Sequence, residues 1–179
     1  MAEIKEPIEG FGLSKKEQER TLFSKIGIVG CGRDGRHIVN LTAQSGMEVV
    51  FIEISQEKIN EAVEAIERNL DTKIENGGLT QSEERATMGR ITGSRDYNDL
   101  KDCDCVIECI RYDANGERST VLRKEVFRRL EEVLAPDAII ATNATTVVLS
   151  ELAAELKYKE RCLSLHFPYR PVTPPFLEM

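Results

Sequence analysis

Lys25-Ile26-Gly27-Ile28-Val29-Gly30-Cys31-Gly32-Arg33-Asp34-Gly35 decides the fold of this chain. Its first six residues are a short apolar run ending in glycine, the texture of a strand buried on both faces of a parallel sheet. From Gly30 to Gly35 the residues fit G-x-G-x-x-G, a pattern that is weak alone because short glycine patterns arise often by chance. Here it follows an apolar strand directly and opens a helix, expected from Arg36 to Ser45 and closed by Gly46. A second buried strand, Glu48-Val49-Val50-Phe51-Ile52-Glu53, ends 21 residues beyond Gly32.

In that context each glycine has a task. Gly30 makes the tight turn, Gly32 lets the backbone approach a diphosphate, and Gly35 allows close packing of helix on strand. The N-terminus of the helix offers unpaired N–H groups to phosphates. Glu53 is placed to accept hydrogen bonds from an adenosine ribose and would repel a 2′-phosphate, and no arginine follows it closely. NAD is therefore favoured over NADP, and a glycine turn without a ligand is the competing reading. Asp34 puts a negative charge near the expected diphosphate, either capping the helix or balanced by Arg33.

Further along, Ile59, Ala62, Val63, Ile66, Leu70 and Ile74 recur at helical spacing after Ser55, and Gly77-Gly78 ends the run. A second helical stretch follows Thr80, and Arg90-Ile91-Thr92 suits a short strand. Cys105-Val106-Ile107-Glu108-Cys109 reads as another buried strand, followed by a helix from Thr120 to Leu134 that Pro136 stops. Strands at Ala138–Ala141 and Arg161–His166 flank a helix around Ser150 to Leu156. Alternating strands and helices argue for an α/β, Rossmann-type, doubly wound and mostly parallel sheet with helices on both faces. The division expected is a polar extension over residues 1–24 and one domain over residues 25–179. Pro168 to Pro175 holds four of the six prolines and reads as a rigid loop.

With 179 residues the chain can bury a full core, and 41% hydrophobic with 31% charged residues is the balance of a globular protein. Its 24 basic and 31 acidic residues leave a formal charge of −7, which argues against nucleic acid and anionic membrane as partners. The five cysteines form no zinc-type spacing and several sit in apolar runs, so buried free thiols and no metal are expected. MAEIKEPIEG lacks an apolar leader, and no apolar stretch approaches membrane-spanning length, so a cytoplasmic protein is expected.

Two histidines are present. His37 lies inside the first helix, where packing or surface exposure suits it. His166 ends the run Cys162-Leu163-Ser164-Leu165-His166-Phe167, and ligands of open α/β sheets bind beyond the carboxyl ends of strands. It reads either as the base of an alcohol-oxidising enzyme or as a plain strand-end histidine.

Gly30 to Gly35, Val106-Ile107-Glu108, Ala141-Thr142-Asn143-Ala144-Thr145-Thr146, His166-Phe167 and Phe176-Leu177-Glu178 stand in the order of motifs of the 3-hydroxyacyl-CoA dehydrogenase family, which this chain resembles over residues 25–179. That family shows GxGxMG, a VIEA-like strand, SNTSS, HFFNP and a closing LVE. The 12 residues from His166 to Glu178 and the 21 from Thr145 to His166 match its intervals. The resemblance implies that His166 is the general base for a 3-hydroxyl, with Glu178 holding its imidazole in orientation. It implies that Thr145 replaces the family serine on the reacting oxygen and that Asn143 lies near the nicotinamide. It further implies NAD as cofactor, with Gly30, Gly32, Arg33, Asp34, Gly35 and Glu53 at its phosphates and ribose. An acyl-CoA or related thioester is the implied substrate, and a helical C-terminal domain, absent from this chain, the implied carrier of a homodimer contact.

Departures from the family pattern are specific. Asp34 replaces the methionine of GxGxMG, His166-Phe167-Pro168-Tyr169-Arg170 replaces HFFNP, and Tyr112 stands where an acid is usual. About six residues are inserted near Asn115-Gly116. The leading expectation is an NAD-dependent oxidoreductase interconverting 3-hydroxyacyl-CoA and 3-ketoacyl-CoA. The alternatives are a non-catalytic NAD(H)-sensing module and a dehydrogenase of another 3-hydroxy acid.

Overall fold

A computed structural model describes residues 23–112 and 115–167. Eleven principal elements alternate along the chain: β1 (Lys25–Val29), α1 (Arg33–Gln44), β2 (Glu48–Ile52), α2 (Gln56–Glu75), α3 (Gln81–Met88), β3 (Ile91–Ser94), β4 (Cys105–Glu108), α4 (Thr120–Val133), β5 (Ile139–Thr142), α5 (Leu149–Leu152) and β6 (Cys162–Ser164). The six strands form one sheet in the order β3-β2-β1-β4-β5-β6, and every pairing is parallel. This is a Rossmann sheet, and its order reverses between β1 and β4. At that switch point two loops leave in opposite directions and open a crevice at the carboxyl ends of the strands.

The period-two alternation of side chains builds two cores. Ile26, Ile28, Val49, Phe51, Cys105 and Ile107 face Ile38 and Val39 of α1 and Ile59, Ala62, Ile66 and Leu70 of α2. The intervening Val29, Val50, Ile52, Val106 and Ile140 face Val126, Phe127 and Leu130 of α4 and Leu152 of α5. Helices therefore cover both faces, which is why the strands read as continuous apolar runs. Gly27 lies on the α4 side, where a Cβ would stand 2.7 Å from Val106 Cγ2.

Capping fixes the helix starts. Ser55 accepts from Lys58 N at the head of α2, Ser119 accepts from Leu122 N at the head of α4, and Thr80 with Glu83 forms a reciprocal capping box on α3. Several elements depart from the boundaries expected of the sequence. α1 starts at Arg33 rather than Arg36, because Gly32 already serves as N-cap and Gly35 lies within the first turn. α5 ends at Leu152 rather than near Leu156: the chain goes into a turn in which Leu156 N donates to Ala153 O at 3.1 Å, and the Glu131 carboxylate accepts from Lys157 N and Tyr158 N at 3.0 Å just beyond it. β6 stops at Ser164, although Leu165 N still donates to Thr142 O at 2.9 Å.

All five cysteines are free, and four are buried. Among the described residues no helix is long and apolar enough to cross a membrane.

Candidate active site

The glycine loop turns where β1 ends. Gly30 has φ +90°, a left-handed conformation that a side chain would strain, and its N–H donates to Ile52 O at 3.0 Å. A Cβ on Gly35 would stand 2.1 Å from Gly30 O, so the first turn of α1 can seat on the loop only through glycine. A Cβ on Gly32 would meet nothing within 4 Å. Gly32 is thus not required by the packing of the protein itself. What its bare backbone leaves open is room for a ligand at the N-terminus of α1, where unpaired N–H groups favour an anion.

Glu53, just past β2, turns back over this loop. Its Oε1 accepts from Cys31 N at 2.6 Å and its Oε2 from Ile54 N at 3.2 Å. The carboxylate is held at the rim of the loop with acceptor capacity left for ribose hydroxyls. Arg33 Nε lies 3.0 Å from Asp34 Oδ1, so Asp34 is balanced by its neighbour; the helix is capped by Gly32 without any side-chain bond. The residues present fit a dinucleotide diphosphate and an unphosphorylated adenosine ribose.

Beside the loop lies a cavity of about 230 Å³ at the carboxyl ends of β4, β5 and β6. Asn143, Thr145 and His166 all line it, together with Asp34 from α1. The structure therefore brings together residues that lie far apart in sequence. Asn143 N donates to Glu108 O at 2.8 Å, and Asn143 Oδ1 accepts from Phe167 N at 3.4 Å, tying the segment after β5 to the residue following His166. Thr145 is exposed at the rim. His166 is half-buried, and its Nδ1 is buried with no hydrogen-bond partner among the described residues. Glu178 and the proline-rich loop lie outside the described residues. His37 is exposed on α1, away from this cavity.

A buried polar network beneath the cavity was not singled out by sequence. Glu108, fully buried at the end of β4, accepts from Ile110 N at 2.6 Å, Thr142 Oγ1 at 2.6 Å and Arg123 Nη1 at 3.5 Å. Arg123 Nη2 donates to Ile110 O at 2.6 Å, and Thr142 Oγ1 accepts from Ala144 N at 3.0 Å. Burial pushes the Glu108 carboxyl up, and the Thr142 hydroxyl, the Arg123 guanidinium and the Ile110 N–H oppose that. The network locks the segments after β4 and β5 to each other, fixing the cavity walls. An acidic residue inside the otherwise apolar Cys105–Cys109 run was the available signal, since a buried carboxylate needs partners.

A sequence model of the family described as 3-hydroxyacyl-CoA dehydrogenase, NAD binding domain, matches residues 25–179. The chain belongs to that family. It is an NAD-binding domain, in keeping with the glycine loop and Glu53. A 3-hydroxybutyryl-CoA dehydrogenase of Mycobacterium tuberculosis is 32% identical over 151 residues, covering 84% of this chain and 50% of that protein. The 3-hydroxyadipyl-CoA dehydrogenase of Escherichia coli K12 is 32% identical over 142 residues, covering 79% of this chain and 29% of that protein. Among solved structures, M. tuberculosis FadB2 superposes with a TM-score of 0.77 at 30% identity, over 82% of this chain and 50% of that one. The chain spans half or less of the length of these relatives.

Proposed function

We propose that this domain serves an NAD-dependent dehydrogenase interconverting 3-hydroxyacyl and 3-ketoacyl thioesters, with His166 as general base. The observation that carries the reading is His166 at the wall of a cavity that adjoins the glycine loop and is shared with Asn143 and Thr145. When bound, the nicotinamide supplies the hydride acceptor or donor. His166 takes the 3-hydroxyl proton in the oxidative direction and returns it to the oxygen on reduction. Thr145 donates its hydroxyl to the same oxygen as negative charge develops there. Asn143, held by the Glu108 carbonyl and the Phe167 N–H, orients the carboxamide end of the cofactor.

The buried, unpartnered Nδ1 of His166 calls for an acceptor that would fix the ring and leave Nε2 facing substrate. Glu178 is assigned that task on the spacing of the family motif. The helical domain that carries the rest of the acyl-CoA site and a homodimer contact in the family is proposed to complete the site. The ion pair of Arg33 with Asp34 balances the carboxylate beside the diphosphate seat and serves cofactor binding in either reading; His166 in the cavity is what a pure sensing module would have no use for.

The test is NADH consumption driven by acetoacetyl-CoA. Consumption that drops at least tenfold in Thr145→Val and in Glu178→Gln, with NADH affinity held, supports the roles assigned to Thr145 and Glu178. NADH binding without consumption of either acetoacetyl-CoA or free acetoacetate in the presence of the helical domain would remove the enzyme reading.

A further inference from the structure

The cavity that holds His166 is basic in a chain that is acidic overall. Among the described residues its lining includes Arg111 and Arg118 from the β4–α4 segment, Arg123 of α4 and a single carboxylate, Asp34. Asp34 is paired with Arg33, and Arg123 is committed to Glu108 and Ile110 O. Arg111 and Arg118 remain. Neither makes an ion pair among the described residues, and the guanidinium of Arg111 lies 5.4 Å from the Tyr112 ring centroid, a contact that steers it without neutralising it. With 31 acidic residues against 24 basic, the chain has more than enough carboxylates to pair both. Two guanidinium groups without an ion pair among the described residues, lining the same cavity as His166 and Thr145, therefore give this concavity a local positive potential.

We propose that Arg111 and Arg118 bind a carboxylate carried by the substrate, so that the site takes anionic 3-hydroxy or 3-oxo compounds in preference to neutral acyl chains. This rests on the reading of His166 as the base and specifies what it acts on. The planar fork of arginine matches a carboxylate bidentately, which adds geometric specificity to the charge pair. The diphosphate of the cofactor already has its own seat at the N-terminus of α1, over the open face of Gly32. Arg111 and Arg118 instead belong to the segment after β4 and line the cavity that also holds Thr145 and His166. The carboxylate has two chemical sources: a free 3-hydroxy acid, or a thioester whose acyl chain ends in a second carboxyl group.

The experiment measures binding, not turnover, by calorimetry on the full chain loaded with NAD+, which leaves the 3-oxo probes without a hydride donor. Two pairs of probes are used, acetoacetate against methyl acetoacetate, and 3-oxoadipyl-CoA against acetoacetyl-CoA. Tighter binding of the charged member of either pair by roughly tenfold, erased in the double variant Arg111→Gln/Arg118→Gln with NADH affinity within about twofold, is the expected result. The first pair responding identifies a free acid, and the second a carboxyl-tailed thioester. No preference for the charged member of either pair in the unaltered chain overturns the proposal. So does a preference that survives in the double variant, or a loss of NADH affinity in it as large as the loss for the acids, which would make the two arginines cofactor ligands. Because the readout is affinity, these outcomes are independent of whether His166→Ala abolishes turnover.

Discussion

The carboxylate of Glu53 accepts a hydrogen bond of 2.6 Å from the backbone N–H of Cys31, joining the end of β2 to the middle of the glycine loop. One side chain thus does two things: it fixes the loop before the cofactor arrives, and it presents acceptors at the ribose position. Glu53→Ala removes both and should weaken NADH binding by roughly tenfold or more, the worth of a hydrogen bond to a charged group. Glu53→Gln keeps an acceptor for Cys31 N while removing the charge, so discrimination against NADPH should narrow. Titration of both cofactors into the two variants by fluorescence checks this.

Gly32 and Gly35 should respond to alanine in opposite ways. The Gly35 Cβ would collide with Gly30 O at 2.1 Å, so Gly35→Ala should cost about 2–3 kcal/mol of stability through overpacking against backbone. The Gly32 Cβ enters open space, so Gly32→Ala should stay within about 1 kcal/mol of the parent while losing most NADH affinity. Urea melts beside cofactor titrations separate the two, and a destabilised but NADH-competent Gly32→Ala would contradict the assignment of the loop.

Glu108 holds three donors at the floor of the cavity. Glu108→Ala strands the Arg123 guanidinium in the interior and should destabilise the domain by about 3–5 kcal/mol, as breaking a buried pair does. Glu108→Gln should cost less because an acceptor remains. Denaturant unfolding of the two variants gives the comparison.

Asp104 accepts from Lys25 N, Ser24 N and Ser24 Oγ at the entrance to β1, and these bonds hold its carboxyl below the usual carboxylate range. A depressed folded-state value adds stability that is fully present above the unfolded value and is lost as pH falls through the folded one. Asp104→Ala should therefore cost about 1 kcal/mol near neutrality, a figure discounted for solvent exposure. The gap should begin to close below about pH 4. Urea midpoints measured across that range would show it, and a pH-independent gap would mean that the charge is not involved.

Burial pushes the thiols of Cys31 and Cys105 up to about 12 and that of Cys103 up to about 11. They are held as neutral thiols well above physiological pH, so alkylation near pH 8 should be slow in the folded chain and rapid in denaturant. A fast-reacting thiol at one of these three positions, seen by mass spectrometry, would contradict the packing around it.

Much of this was legible in the sequence because local chemistry and global packing agree. The glycine loop, the apolar strands and the helix starts at Ser55 and Thr80 all specify the same alternation. Boundaries failed where local turns and tertiary bonds took over: α1 starts at Arg33 because Gly32 serves as its N-cap, and past α5 the chain turns through residues 153–156 and is then held by Glu131 of α4. Glu53 could be read as a ribose acceptor, yet its bond to Cys31 could not, since it needs the register of β1 against β2. The partnership of Glu108, Arg123 and Thr142 was likewise invisible, because it joins three elements whose proximity only the sheet order supplies.

The assignment of His166 as the base is tested most directly by NADH consumption with acetoacetyl-CoA in His166→Ala, measured alongside NADH affinity. Turnover should fall by roughly 10²–10⁴-fold, the usual contribution of a positioned general acid–base group, while NADH affinity stays within about twofold because the glycine loop and Glu53 are untouched. Turnover that survives the substitution would contradict the assignment.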